Sequence, residues 1–215
     1  MEKATQVLNG EEPIYRAYAS WDLGALYENG YGVEQNYATA IEYYEKSANQ
    51  GFSEAYNELG VLYYLGEGVE QDYTKAKEMW EKGMELRHTT AIFNLTTLYK
   101  NGYGVEQDYN KVIELYQMGI ELGDYNAANE IGWLYQNGEG VEQDYTKALE
   151  YYQIAADGGN SYGLNNVGWC YENGFGVEQD YEKALEYYDM AANAGNDSGS
   201  DAGKENAERL RNEIQ

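Results

Sequence analysis

Residues that could carry out catalysis are few in this chain. The only histidine among its 215 residues is His88, and the only cysteine is Cys170. Catalysis by side chains needs a base, a nucleophile or a metal ion held by oriented partners. The chain contains five similar segments of 36 residues, described below, and the residue at the position of Cys170 is Leu in the other four. This favours a small core residue over a nucleophile. His88 falls in a predicted turn, which favours a surface position.

Carboxylates are the abundant reactive groups. The chain has 38 Asp and Glu against 14 Lys and Arg, a formal net charge of -24 at pH 7. A carboxylate pair could transfer protons, yet no pair stands out from the repeating background. The Gly-x-Gly segments are a weak phosphate motif, because each follows a helical pattern and has a Glu beside it. We therefore expect no catalytic residue, no metal site and no cofactor, and the charge disfavours direct contact with nucleic acid or an anionic membrane.

Cysteine usage and hydropathy bear on the compartment. A single cysteine excludes an intramolecular disulfide, which fits a reducing environment. Residues 1–8 contain no apolar run of signal-peptide length. No segment approaches the roughly 20 apolar residues that a membrane-spanning helix requires. On these grounds we expect a cytoplasmic protein that does not bind membranes.

One segment, Gly-x-Gly-Val-Glu-Gln-Asp-Tyr, organises the chain and occurs five times. Its copies start 36 residues apart, at Gly30, Gly66, Gly102, Gly138 and Gly174, and the first has Asn in place of Asp. A fixed period of this length is typical of a solenoid. Gly can adopt the left-handed conformation that ends a helix, and Asp can accept a backbone N–H at the start of the next. The segment therefore predicts a loop between two antiparallel helices.

The stretches on either side of this loop have apolar residues at spacings of three and four. They predict helix A before the loop and helix B after it. The interior of helix A has Gly at one place in four repeats, Gly24, Gly60, Gly132 and Gly168, and Thr96 in the third. Gly inside a helix costs about 1 kcal/mol relative to Ala. We therefore expect a neighbouring helix to approach closely at this place.

The repeats set the predicted domain organisation, and the fold class is all-α. Residues 16–195 are predicted to form five pairs of helix A and helix B. Residues 1–15 are predicted to form an N-terminal partial repeat or cap helix. In residues 196–215 the period breaks, and a flexible turn over 196–203 is predicted to precede a capping helix from Lys204 to Ile214.

The pattern Leu-Gly-x-x-Tyr, Gly-x-Gly-Val and Asp-x-x-Lys-Ala resembles Sel1-like repeats, which are relatives of the tetratricopeptide repeat. The second repeat carries it on Leu59, Gly60, Tyr63, Gly66, Gly68, Val69, Asp72, Lys75 and Ala76. The resemblance covers about residues 16–195. It implies a right-handed superhelical solenoid of antiparallel helix pairs and an adaptor that binds other proteins. A single cysteine distinguishes the chain from the secreted, cysteine-rich branch of that family.

The resemblance also implies that helix A lines a concave groove. Positions of helix A off the core stripe vary between repeats and share one face, since they lie at i, i+3 and i+7. The candidate partner-binding residues are Tyr18, Trp21, Asn57, Phe93, Asn129, Trp133, Tyr162, Asn165 and Trp169. Asn can donate to and accept from a peptide backbone, and Trp and Tyr can supply apolar anchors. In the alternative interpretation the Asn side chains bond neighbouring helices and the Trp rings pack between repeats.

Three functions compete on this evidence. The first is an adaptor that binds a peptide or protein segment in the helix-A groove. The alternative is an acidic inhibitor or nucleic-acid-mimicking decoy that occupies the basic cleft of a partner, as in phage or defence systems, with an affinity that falls steeply with salt. An enzyme with an acidic site comes third.

Overall fold

The computed structural model describes residues 13–195 and 197–214, and these residues form eleven α-helices and no strand. The helices are α1 (Pro13–Asn29), α2 (Tyr37–Ala48), α3 (Ser53–Leu65), α4 (Tyr73–Glu85), α5 (Thr89–Asn101), α6 (Tyr109–Glu121), α7 (Tyr125–Asn137), α8 (Tyr145–Asp157), α9 (Ser161–Asn173), α10 (Tyr181–Ala194) and α11 (Ser198–Glu213). The partial repeat predicted for residues 1–15 lies mostly outside the described residues.

The chain divides into two compact units, Met1–Asp108 and Tyr109–Gln215. The first unit contains α1 to α5, and the second contains α6 to α11. Within each unit consecutive helices pack against one another, and α3 also contacts α5, α7 contacts α9, and α9 contacts α11. From α1 to α10 the odd-numbered helices are the predicted helix A and the even-numbered ones the predicted helix B. The predicted all-α fold of helix pairs is confirmed.

The loop between helix A and helix B has the predicted conformation. In the second repeat Gly66 ends α3 with a φ of 76°, and Gly68 has a φ of 72°. Asp72 then caps α4, because its Oδ1 accepts the backbone N–H groups of Thr74 and Lys75 at 3.0 Å each. Glycine tolerates these left-handed angles without the clash of a side chain, so the loop follows from its residue types.

A glutamine closes each loop in a way that the sequence analysis did not assign. Gln71 Nε2 donates to the carbonyl oxygen of Tyr64 at 2.8 Å, across the loop. The same bond is made by Gln35, Gln107, Gln143 and Gln179. The loop therefore satisfies a carbonyl group at the end of helix A that would otherwise lack a helical partner.

The second glycine of the loop also has a packing role. A Cβ on Gly140 would lie 1.9 Å from the ring of Tyr109, the first residue of the preceding helix B. A Cβ on Gly176 would lie 2.4 Å from the carbonyl oxygen of Tyr145. Gly68 meets Tyr37 and Gly104 meets Tyr73 in the same way. Each of these loops thus docks on the start of helix B in the repeat before it, and only glycine leaves room for that contact.

The glycine inside helix A lies under an aromatic ring of helix B in the same repeat. A Cβ on Gly132 would lie 2.6 Å from two ring atoms of Tyr152. That ring is fully buried, and its hydroxyl donates to Gln136 Oε1 at 2.7 Å. Equivalent pairs are Gly24 with Tyr44, Gly60 with Trp80 and Gly168 with Tyr188. The expected close approach is confirmed, and a buried ring is the group that approaches.

The C-terminal helix begins earlier than predicted. Residues 198–203 were expected to belong to a flexible turn, with the helix starting at Lys204, but α11 begins at Ser198. Asp197 caps it by accepting the backbone N–H of Ser200 at 2.9 Å. Tertiary packing overrides the turn propensity of this Gly- and Ser-rich run, since a Cβ on Gly203 would lie 2.6 Å from the Cβ of Ala191.

The contacts of α11 identify it as a further helix A with a short insertion. In the second, third and fourth repeats a small residue of helix B meets a small residue of the next helix A eight positions away, as Gly119 meets Ala127. Ala191 instead meets Gly203, which is twelve positions later. The four extra residues add about one helical turn and move Leu210 into a fully buried core position.

Replacing Arg87 with Gly is expected to stabilise the protein by about 1 kcal/mol or less. Arg87 has a φ of 63°, at the place where Gly123 has 88°. Removing a side chain from this left-handed conformation relieves about 1–2 kcal/mol, and the extra freedom of glycine in the unfolded chain offsets about 0.4–1 kcal/mol. Urea unfolding of the wild type and the variant measures the difference in the free energy of unfolding, provided that both proteins have the same m-value.

The reverse substitution is the matched control. Gly123→Arg should lower the urea midpoint by a comparable amount, because a Cβ on Gly123 would meet nothing within 4 Å and backbone strain is the only penalty. A lower midpoint for Arg87→Gly would show that the Arg87 side chain contributes more than its backbone strain costs.

Candidate partner-binding surfaces

The first unit contains four of the candidate residues. Tyr18 and Phe93 are exposed and Trp21 is half-buried, whereas Asn57 retains 6% of its exposure. Tyr18 and Trp21 cluster with Phe52, at ring-centroid distances of 5.7 to 6.0 Å. The structure therefore gathers the two candidates on α1 around a third aromatic residue and places Asn57 in the interior.

The second unit contains the other five candidates. Asn129 and Trp133 lie on α7, and Tyr162, Asn165 and Trp169 lie on α9. Trp133 is 39% exposed and Tyr162 is 42% exposed, while the other three are half-buried. Neither α7 nor α9 contains Lys or Arg. This unit thus presents aromatic rings and amides on helices that are free of positive charge.

Hydrogen bonds between asparagines link successive A helices. The bonds run from Asn94 Nδ2 to Asn57 Oδ1 at 2.9 Å, from Asn166 Nδ2 to Asn129 Oδ1 at 2.8 Å, and from Asn206 Nδ2 to Asn165 Oδ1 at 2.9 Å. The alternative interpretation, in which these Asn residues bond neighbouring helices, therefore describes a contact that the structure contains. The donors Asn94, Asn166 and Asn206 were missed, although two of them follow their partners by 37 residues in the sequence.

These bonds fix the orientation of each amide. In Asn129 and Asn165 the carbonyl oxygen is engaged, so the NH₂ group is the part that can donate to another molecule. Asn166 and Asn206 use one NH₂ hydrogen, and their carbonyl oxygens can accept. Asn57 differs, because it is buried and its amide nitrogen lies 3.4 Å from Glu58 Oε1.

An aromatic cluster that the sequence analysis missed adjoins Trp169. Phe175 lies 4.7 Å from Trp169 and stacks on Tyr145 at 4.5 Å between centroids. Phe175 is the middle residue of a Gly-x-Gly segment, a place that alternates between aromatic residues and Glu along the chain. Where it is Glu139, the carboxylate accepts the hydroxyl of Tyr109 at 2.7 Å. This alternation is visible in the sequence and could have pointed to the aromatic cluster around Phe175.

The end of the second unit is anchored by charged groups on α11. Arg209 Nη2 lies 2.8 Å from Glu172 Oε2, and the hydroxyl of Tyr188 donates to the same oxygen at 2.6 Å. Burial acts to raise the pKa of Glu172, but the hydrogen bonds from Arg209 and Tyr188 outweigh it and leave that pKa lowered. The contact holds α11 against α9 and so positions Asn206 beside Asn165.

His88 and Cys170, the residues first considered for catalysis, lie at a helix cap and in the core. His88 caps α5 by accepting the N–H of Ala91 at Nδ1, at 3.2 Å, and burial lowers its pKa against an opposing effect of Glu54. Cys170 is fully buried, which raises the pKa of its thiol to about 12. Among the described residues, no three His, Cys, Asp or Glu side chains converge to hold a metal ion. None of the helices described is long and apolar enough to cross a membrane.

Helix pairs at 36-residue intervals, joined by capped Gly-x-Gly loops, define a helical repeat protein. The chain belongs to the Sel1 repeat family, whose model matches residues 17–52, 53–88, 89–124, 126–160 and 161–196. A comparison with curated proteins gave no match. The structure is similar to that of a Sel1 repeat protein from Oxalobacter formigenes, with 30% identity, a TM-score of 0.79, and coverage of 92% of this chain and 81% of that chain.

Two other solved structures share the fold. One is a protective antigen of uropathogenic Escherichia coli strains with an SLR fold, which is 24% identical with a TM-score of 0.76. The match covers 99% of this chain and 52% of the antigen, so this chain spans about half of the antigen's length. The other is a sel1 repeat protein from Klebsiella pneumoniae, 21% identical with a TM-score of 0.52 over 98% of this chain and 97% of that chain. Membership of the Sel1 repeat family suggests a role in protein–protein interaction.

Proposed function

We propose that the helix-A face of the second unit, formed by α7, α9 and α11, binds an extended segment of a partner protein. The observation that supports this most directly is the pairing of exposed aromatic rings with amides of fixed orientation. Trp133 and Tyr162 are exposed on α7 and α9, and Asn129 and Asn165 lie on the same two helices. The protein then acts as a binding module and not as an enzyme.

The amides supply a pattern that suits a peptide main chain. The NH₂ groups of Asn129 and Asn165 donate to peptide carbonyl groups, and the side-chain oxygens of Asn166 and Asn206 accept peptide N–H groups. Such contacts do not depend on the partner's side chains. Because the Asn–Asn bonds already hold these groups in place, less conformational entropy is lost on binding than with free side chains.

The aromatic residues supply the apolar part of the affinity. Trp and Tyr are enriched among the residues that contribute most to interfaces. Trp133 and Tyr162 are exposed, and Trp169 is partly so. Between them they offer anchors for apolar side chains of the bound segment, while the amides fix its direction. The first unit has a similar aromatic cluster on α1 but buries its Asn57, so the proposal rests on the second unit.

The substitution Asn165→Asp is expected to weaken partner binding at least about tenfold, a loss of about 1.4 kcal/mol, without changing the thermal melt. An Asp side chain keeps the oxygen that accepts from Asn206 but loses the NH₂ group that donates to the partner. Partners are first captured from lysate at low and at high salt, and the affinity of the identified partner is then measured for the wild type and the variant.

Matched variants separate this proposal from the acidic decoy. Trp133→Ala should also weaken binding, whereas Tyr31→Ala, an exposed aromatic in the first loop, should not. Basic partners that high salt removes equally from the wild type and Trp133→Ala would support the decoy instead. Partners that survive high salt and bind Asn165→Asp and Trp133→Ala as tightly as the wild type would contradict the helix-A face.

A further inference from the structure

A second surface lies on the helix-B side of the second unit. An open cavity of about 460 Å³ is lined by Thr146, Leu149, Glu150, Gln153 and Ile154 of α8 and by Tyr171 at the end of α9. Its exposed walls are mainly apolar, and Ile154 is 38% exposed. We propose that this groove is a docking site for a basic amphipathic helix of a partner protein. The groove is separate from the helix-A face and does not depend on it.

The position of Ile154 within the repeat is occupied by lysine early in the chain and by apolar residues later. In the first two repeats it is Lys46 and Lys82, whose ammonium groups lie 5.4 Å from the ring centre of Tyr43 and 5.6 Å from that of Tyr56. In the last three repeats the place is taken by Met118, Ile154 and Met190. In the second unit an apolar side chain therefore stands where a lysine covers the surface in the first unit.

A second exposed apolar residue lies one repeat further on. Met190 of α10 is 52% exposed. The hydroxyl of Tyr187 on α10 donates to Gln153 Oε1 on α8 at 3.0 Å, so side chains of the two helices meet at this point. Residues i and i+7 of an α-helix are about 10.5 Å apart, a reach that spans two helices whose side chains meet. A helix that crosses α8 and α10 can therefore place one apolar side chain against Ile154 and another against Met190.

The charges beside the groove select a basic partner. Glu150 lines the cavity, and Glu186 occupies the same place one repeat later; both are exposed. Lys183, which lies 5.1 Å from the ring centre of Tyr171, is 3.8 Å from Asp180. Carboxylates that flank an apolar strip complement a helix with Lys or Arg beside its apolar face. A second copy of this chain is a poor occupant, because its net charge of -24 has the same sign.

The test uses a synthetic helical peptide with Leu at i, i+3, i+4 and i+7 and Lys elsewhere. We expect saturable binding that Ile154→Lys weakens about tenfold, since burial of one large aliphatic side chain is lost. The control is Asn212→Lys, which adds the same charge at an exposed place on α11. Ile154→Lys restores the residue found at this place in the first two repeats, so its fold should be intact, and circular dichroism checks this.

Three results would overturn the inference. The first is equal loss of affinity in Ile154→Lys and Asn212→Lys, which would mean that charge alone attracts the peptide. The second is equal affinity for a peptide with Ala in place of Leu, since the groove would then contribute no apolar contact. The third is loss of binding in Trp133→Ala with no loss in Ile154→Lys, which would place the peptide on the helix-A face.

Discussion

Replacing Gly176 with Ala is expected to lower the free energy of unfolding by about 3 kcal/mol, whereas the same change at Gly159 should lower it by about 1 kcal/mol or less. Both glycines have a positive φ, 71° and 80°. At Gly159 a Cβ would meet nothing within 4 Å, so only the left-handed backbone is strained. At Gly176 a Cβ would lie 2.4 Å from the carbonyl oxygen and 2.6 Å from the carbonyl carbon of Tyr145.

The difference between the two variants isolates the docking of one repeat on the next. Backbone atoms of Tyr145 cannot rotate away as a flexible side chain could, so the loop or the start of α8 must shift. Urea unfolding followed by circular dichroism gives the two free energies. Because repeat arrays can unfold in parts, the m-value is compared as well. Equal losses in both variants would mean that the loop does not dock on the preceding repeat as described.

Local features of this fold could be predicted because they depend on a few adjacent residues. Gly66 ends a helix in the left-handed region, and Asp72 caps the next one, for reasons that each residue type contains by itself. The same argument failed for the run before Lys204. Its glycines and serines favour a turn locally, but Gly203 packs against Ala191 only when the run is helical. That gain depends on tertiary contact, which local propensity does not record.

In the candidate surfaces, too, some features could be predicted from the sequence and others depend on neighbouring helices. The spacing of Trp133 and Tyr162 predicted positions off the core stripe, and both are exposed. Asn57 has the same place in its repeat as Asn129, yet it is buried while Asn129 is half-exposed. Residue type and register do not distinguish the two, because burial depends on which side chains the flanking helices supply. The orientation of each amide likewise depends on a partner in the next helix A.

Replacing Gly60 with Ala is expected to destabilise the first unit by about 2 kcal/mol, although Ala is the better helix former by about 1 kcal/mol. A Cβ there would lie 2.3 Å from Nε1 of Trp80, and the three closest atoms all belong to that indole. Trp80 is buried, and its Nε1 donates to the carbonyl oxygen of Asn57 at 3.2 Å. Displacing the ring breaks this bond, which adds to the cost of overpacking.

The effect of Gly60→Ala should change sign when the ring is removed. Trp80→Leu destabilises the protein by itself, since it leaves a cavity, but it also clears the space above Gly60. In that background the added methyl group fills part of the cavity and the helix propensity of Ala remains, so Gly60→Ala should raise stability by about 0.5–1 kcal/mol. Urea unfolding of the wild type, the two single variants and the double variant completes the cycle. A destabilising Gly60→Ala in both backgrounds would mean that a group other than the indole requires glycine inside helix A.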